Sequence, residues 1–252
     1  MRIRLELDYI GTAYAGWQTQ PGQRTVQGEI ERALQNLTGE AVRVTASGRT
    51  DAGVHALCQT AHFDTERDWD AGAFVGGLNR YLPRDIRVLA AEKAGEEFHA
   101  RFSAKGKTYV YLMYLSDAER AAFYGRAARL PVSADIAKMR DAARCFPGTH
   151  DFAAFCASGA DTTTTVRTVT EAAVERDGDL VTFTVSADGF LYNMVRIMVG
   201  TMLQYGQGRN MDGIARALET GRRDFAGPTA PAHGLTLARV EYENFDTEEH
   251  IR

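Results

Sequence analysis

The sequence predicts an α+β protein of two lobes built on mainly antiparallel sheets. Three observations carry that reading. Segments with the period-two alternation of strands interleave with segments bearing a helical apolar stripe. The mixture occurs in the first half of the chain and again in the second. At 252 residues there is room for one large domain or two small ones, with a sizeable buried core.

In the first half, Ile3, Leu5, Leu7 and Tyr9 alternate with Arg2, Arg4, Glu6 and Asp8, the pattern of a half-buried strand. Thr25 stands where an N-cap belongs, before an apolar stripe of Val26, Ile30, Ala33, Leu34 and Leu37 that stops before Gly39. Residues 42–45 and 59–63 read as strands flanking a loop, followed by a helix over 71–81 and a strand over 86–90. In the second half, 107–115 reads as a strand with Tyr109, Tyr111 and Met113 on one face. Ser133 is placed to cap a helix carrying Ile136, Met139 and Ala143. Residues 166–174 and 180–187 form a hairpin around Asp177-Gly178-Asp179. A helix over 190–205 with Gly206 as its stop, a short helix near 214–218 and a last strand over 235–242 complete the chain. The expected division is 1–104, 105–245 and an acidic tail, 246–252.

The composition is that of an ordinary soluble globular protein. No apolar run is long enough to span a bilayer, and the N-terminal residues carry acid where a signal peptide is apolar, so no membrane association and a cytoplasmic location are expected. Cys58, Cys145 and Cys156 are odd in number and far apart, which fits neither a disulfide scaffold nor a zinc knuckle. His55 and His62 have no Cys or carboxylate at ligand spacing, so no metal is expected. Gly206-Gln207-Gly208 follows a helix and reads as a cap, not a dinucleotide loop; no small-molecule cofactor is called for. The threonine-rich run Asp161–Thr165 reads as a loop.

The net charge of -4 runs against nucleic-acid binding, but its distribution does not. Residues 98–130 hold Arg101, Lys105, Lys107, Arg120, Arg126 and Arg129 against Asp117 and Glu119, a local +4 beside Tyr109, Tyr111 and Tyr114. Such a strip suits phosphate contacts next to stacking rings. The most informative stretch is Ser47-Gly48-Arg49-Thr50-Asp51-Ala52-Gly53-Val54-His55, a carboxylate and a guanidinium among glycines that permit a tight turn. It is an ordinary turn or a catalytic loop, and composition does not choose between them.

The resemblance of the whole chain does choose. Tyr9-Ile10-Gly11-Thr12, Gly16-Trp17-Gln18, Thr25-Val26-Gln27-Gly28, the Arg49–Asp51 loop and Arg101-Phe102-Ser103-Ala104 with Tyr109 and Tyr111 occur in order. Gly148–Phe152, Met194–Gly200 and Ala230–Leu235 follow. Together the chain resembles the TruA-type tRNA pseudouridine synthases over roughly residues 3–242. That resemblance implies two lobes sharing a central sheet with a cleft between them, a tRNA substrate with target uridines at positions 38, 39 and 40, and a homodimer. It implies Asp51 as the nucleophile, Arg196 as its ion-pair partner and Tyr109 as the ring against the flipped uracil. Arg49 enters the space the flipped nucleotide leaves, and Leu235 contacts the substrate. Arg101, Lys105, Lys107 and Arg126 are the expected RNA contacts.

Each of these residues also has a structural reading. Asp51 fits a turn, Arg196 fits a half-buried side chain satisfied by carbonyls, Tyr109 fits a core, and Arg49 fits a loop buttress. An aspartate at its ordinary pKa of about 3.9 is ionised at neutral pH and needs placement more than activation. A non-catalytic RNA-binding module would have no use for the Asp51–Arg196 pair. A phosphoesterase would need a second carboxylate for magnesium, and residues 40–60 provide none beside Asp51 at such spacing.

Overall fold

The computed structural model describes residues 1–159, 162–210 and 212–243. Asp161 and the acidic tail 246–252 lie outside the described residues. The contacts gather into two compact units, Met1–Lys105 with the described residues from Thr236 on, and Gly106–Leu235.

The first unit is a sheet with two helices. Strands β1 (Arg2–Tyr9), β2 (Thr45–Ala46), β3 (His55–Asp64), β4 (Ile86–Ala94) and β10 (Leu235–Tyr242) make the order β4-β1-β3-β10, with β2 also on β3. β1 runs antiparallel to β3 and β4, whereas β10 pairs parallel with β3 through Thr236↔His55 and Leu237↔Ala56. This pairing returns the last strand to the first unit, although sequence order sets it beside the second. Ile3, Leu5, Leu7 and Tyr9 are buried as the alternation predicts. The other face is not open to solvent, as a half-buried strand requires. Arg4 and Glu6 are buried there as an ion pair of 2.6 Å, with Arg4 over the ring of Tyr242.

Helix α1 (Val26–Thr38) starts where Thr25 Oγ1 accepts from Gly28 N and stops at Gly39, left-handed at φ +80. Its Val26, Ile30, Ala33 and Leu34 are buried. Helix α2 (Ala71–Tyr81) is capped by Asp70 and packs on α1 and β4. The expected strand at 42–45 shrinks to β2. Val44 cannot join a ladder because its N–H donates to Glu31 Oε1 and its carbonyl accepts from Gln27 Nε2, both on α1. Conversely β3 begins at His55, four residues earlier than the alternation showed, so the Arg49–Asp51 loop runs almost directly into it.

The second unit has strands β5 (Ala104–Leu115), β6 (Ala128–Leu130), β7 (Gly148–Asp151), β8 (Val166–Asp177) and β9 (Leu180–Ala187). Their order is β5-β9-β8-β7, antiparallel throughout, with β6 parallel to β5. Tyr109, Tyr111 and Met113 share the buried face of β5, and the β8–β9 hairpin turns at Gly178 as expected. Helix α3 (Ile136–Ala143) packs on helix α4 (Met194–Gly206) and on β8, and α5 (Gly213–Thr220) follows. Asp135, not Ser133, caps α3: its carboxylate accepts from Lys138 N at 3.1 Å. Helix α4 starts four residues later than the expected 190, because Asn193 takes the left-handed conformation and interrupts any earlier turn.

Candidate active site

The loop carrying Arg49 and Asp51 is pinned from behind by buried polar groups. Ser47, fully buried, donates from Oγ to Gln59 Oε1 at 2.6 Å, and Gln59 Nε2 donates to the carbonyl of Gly48 at 3.0 Å. Ser47 N donates to Thr60 O, which ties the loop start to β3. Thr50 is buried with its hydroxyl 2.8 Å from Tyr9 OH, and burial pushes the Tyr9 phenol up to about 12. Tyr9 therefore stays a neutral hydrogen-bond partner. Val54 N closes a turn on the carbonyl of Asp51 at 3.1 Å, with Gly53 left-handed inside it. With Thr50 buried between them, Arg49 is exposed and Asp51 half-buried. The backbone is held still while the two charged side chains stay within reach of solvent.

A second segment braces the same loop. Trp17 N donates to Thr50 O at 3.0 Å, and Gly16 O and Trp17 O receive the N–H groups of Val26 and Gln27 at the start of α1. Gly16 has φ +93, and a Cβ there would stand 2.7 Å from Thr50 O and 3.1 Å from Ala52 N. Only glycine permits this approach. The Gly-Trp motif and the Arg49–Asp51 loop, far apart in sequence, are one packing unit.

In the second unit Arg196 sits in the first turn of α4, half-buried. Its Nε donates to Ala230 O at 2.8 Å and its Nη1 to Asn193 Oδ1 at 2.6 Å, while Ala230 N donates back to Arg196 O at 3.0 Å. The neighbouring carbonyl, Pro231 O, accepts from Tyr111 OH at 2.8 Å. Burial raises the Tyr111 phenol's pKa, and the nearby Arg196 charge opposes that rise only in part. The loop 227–231 lies hard against α4: a Cβ on Gly200 would stand 1.7 Å from Pro228 O. Thr201 Oγ1 accepts from Gly227 N at 2.8 Å. This close backbone contact presents the two carbonyls that hold Arg196 and Tyr111.

Tyr109 is buried on β5, edge-on to Phe190 with ring centres 5.1 Å apart. Leu235 is buried at the start of β10. Arg101 and Arg126 are exposed and Lys107 is half-buried; Lys105 is exposed and paired with Glu243 at 3.3 Å. Arg49, Asp51, Arg101 and Lys105 thus belong to the first unit, and Lys107, Tyr109, Arg126, Arg196 and Leu235 to the second. Sequence reasoning missed Asn193, Gln59 and Thr50. Asn193 had a signal, a carboxamide three residues before Arg196 at a helix start, where an asparagine side chain ordinarily caps the backbone. Here it makes no cap bond.

The first unit thus carries a loop braced on two sides that leaves an arginine exposed and an aspartate half-buried, in an α+β frame. The family model described as tRNA pseudouridine synthase matches residues 7–103 and 142–243. The chain belongs to the tRNA pseudouridine synthase family and is an enzyme. The matched segments hold Arg49, Asp51, Arg101, Arg196 and Leu235 and leave out Lys105, Lys107, Tyr109 and Arg126. The tRNA pseudouridine synthase A of Geobacillus sp. (strain WCH70) is 46% identical over 245 residues, 96% of this chain and 99% of that protein. That of Acetivibrio thermocellus is 45% identical over 241 residues, 95% and 99% of the two chains. That of Geobacillus kaustophilus is 48% identical over 246 residues, 96% and 95%.

Proposed function

We propose that this enzyme converts uridine to pseudouridine at positions 38, 39 and 40 of the tRNA anticodon stem-loop, with Asp51 as the nucleophile. The observation that carries the reading is the pinned Arg49–Asp51 loop, within a family whose model covers it. The target base leaves its stack, which costs a few kcal/mol, and the exposed Arg49 guanidinium fills the gap. The Asp51 carboxylate adds to ribose C1′ or to uracil C6, and the N1–C1′ bond breaks. The detached ring turns, C5 bonds to C1′ as Asp51 is released, the C5 proton leaves to a base, and N1 takes up a proton. Atoms balance within one nucleotide, so the reaction draws on no redox partner and no energy source.

Arg196 serves as the cation that pairs with Asp51, and Tyr109 as the ring that holds the uracil and handles a proton, with Leu235 beside it. Arg101, Lys105, Lys107 and Arg126 contact phosphates. A homodimer, which the resemblance implies, and a cytoplasmic location belong to the same reading.

The test is incubation of unmodified tRNA with the protein and with Asp51→Asn, followed by mapping of pseudouridine. Wild type forms it at 38–40, and the variant binds tRNA but forms none. Turnover by Asp51→Asn within tenfold of wild type overturns the nucleophile assignment. Product only at other uridines overturns the positional one.

A further inference from the structure

Residues 99–103 form a tight turn that holds one phenyl ring out in solvent. Ser103 N donates to His99 O at 2.8 Å, and His99 N donates to Ser103 Oγ at 3.0 Å. His99 Nδ1 accepts from both Arg101 N and Phe102 N, at 3.2 and 3.3 Å. The His99 ring lies on Phe102 with centroids 4.3 Å apart and planes 28° from parallel, and it meets His62 edge-on from below at 4.8 Å. Phe102 nevertheless remains 76% exposed, with the exposed guanidinium of Arg101 over its ring, Cζ 5.7 Å from the ring centre. An exposed phenyl gains nothing from the hydrophobic effect, and a flexible turn would let it fold down. Four hydrogen bonds hold the turn instead. A pre-ordered ring next to a cation is what a nucleotide recognises, with the base on the ring and the phosphate on the guanidinium.

We infer that Phe102, backed by His99 and flanked by Arg101, is a stacking platform for an unpaired nucleotide of the bound RNA, distinct from the target uridine. The inference rests on the reading of tRNA as substrate. The platform is remote from the catalytic loop: His62, beneath it, lies seven residues along β3 from His55, on the order of 23 Å at the usual strand rise. Burial, His99 and Arg2 hold the His62 pKa down at about 4, and burial lowers that of His99, so both rings are uncharged at neutral pH.

Binding of unmodified tRNA by Phe102→Ala, Phe102→Tyr and Phe102→Trp tests this. The alanine variant loses about tenfold in affinity, and tyrosine stays within about twofold. The single-turnover rate at saturating tRNA is unchanged in both. Fluorescence of Phe102→Trp is quenched by tRNA beyond the quenching of the parent protein. An alanine affinity within twofold of wild type overturns the inference, as does an equal loss in the tyrosine variant. A loss accompanied by a changed sedimentation coefficient of the protein alone also overturns it, because the ring then contacts a second copy of the chain. Should Phe102 contribute to binding as expected while no pseudouridine forms, the platform stands and the functional reading falls.

Discussion

The side-chain oxygen of Asn193 accepts a hydrogen bond from Nη1 of Arg196 at 2.6 Å, while the Asn193 backbone stands in the left-handed region at φ 60. A helix-capping asparagine ordinarily keeps extended backbone and gives its oxygen to the helix N–H groups. This one does neither. The helix forgoes a cap worth about 1 kcal/mol and accepts left-handed strain of similar size. What it gains is a fixed guanidinium.

Asn193→Gly separates the two roles. Glycine takes the left-handed backbone without strain but has no acceptor. The melting temperature should stay within a few degrees of wild type, and the single-turnover rate of pseudouridine formation should fall about tenfold. The loss should disappear when Arg196 is already methionine, because Asn193 acts through that side chain. Equal factors in both backgrounds would show that Asn193 serves the fold alone.

Gly16→Ala should unfold more easily and modify tRNA more slowly. The new Cβ meets Thr50 O at 2.7 Å, on the loop that carries Asp51. We expect a loss of about 2 kcal/mol or more in urea unfolding. Gly22→Ala is the control: its φ is also positive at +71, but nothing lies within 4 Å of the added carbon. If the two variants lose equal stability and equal activity, the brace between Gly16 and the loop has no functional weight.

Arg49→Ala should bind tRNA with near-normal affinity and lose most of its single-turnover rate. The loss should shrink on a substrate whose target uridine is already unpaired and poorly stacked, since less unstacking must be driven. Asp51→Asn should show no such rescue. Identical losses for Arg49→Ala on stacked and unstacked substrates would reduce Arg49 to a loop support.

Much of the frame was legible because its signals are local. α1 lies between Thr25 and Gly39, and α2 and β10 occupy the residues that their patterns marked. The misses occur where a distant group decides. Residues 42–44 looked like a strand until the side chains of α1 claimed the backbone of Val44. Arg4 and Glu6 looked solvent-facing because a buried ion pair carries the same letters as an exposed one. β6 and β7, at three and four residues, are too short to show a period. Among the candidate residues, the resemblance marked the charged ones, which chemistry restricts to few types. Their supports, Gln59, Thr50 and Asn193, act through hydrogen bonds that no spacing rule specifies.

Acid should destabilise the protein partly through His62. Burial, then His99 and Arg2, lower its folded pKa to about 4 from an ordinary 6.5. The unfolded chain therefore binds more protons between those values, so this contribution is complete above pH 6.5 and is lost as pH falls towards 4. Urea midpoints of wild type and His62→Gln, followed from pH 7.5 to 4.5, should converge as the pH drops, because glutamine has no proton to bind. Parallel curves would mean that His62 does not titrate on unfolding.

The return of β10 to β3 has a consequence for the order in which the protein is made. His55 and Ala56, the first residues after the Asp51 loop, gain their parallel partner only from Thr236 and Leu237. During translation all of Gly106–Leu235 leaves the ribosome before that partner does. The earlier residues must wait with an open strand edge, and closure joins segments of very large sequence separation, a slow step for a sheet. A product interrupted after Ala56 but ahead of Thr236 would keep every residue of the Arg49–Asp51 loop and still lack the strand beside it, so an unfinished chain cannot complete the support of that loop.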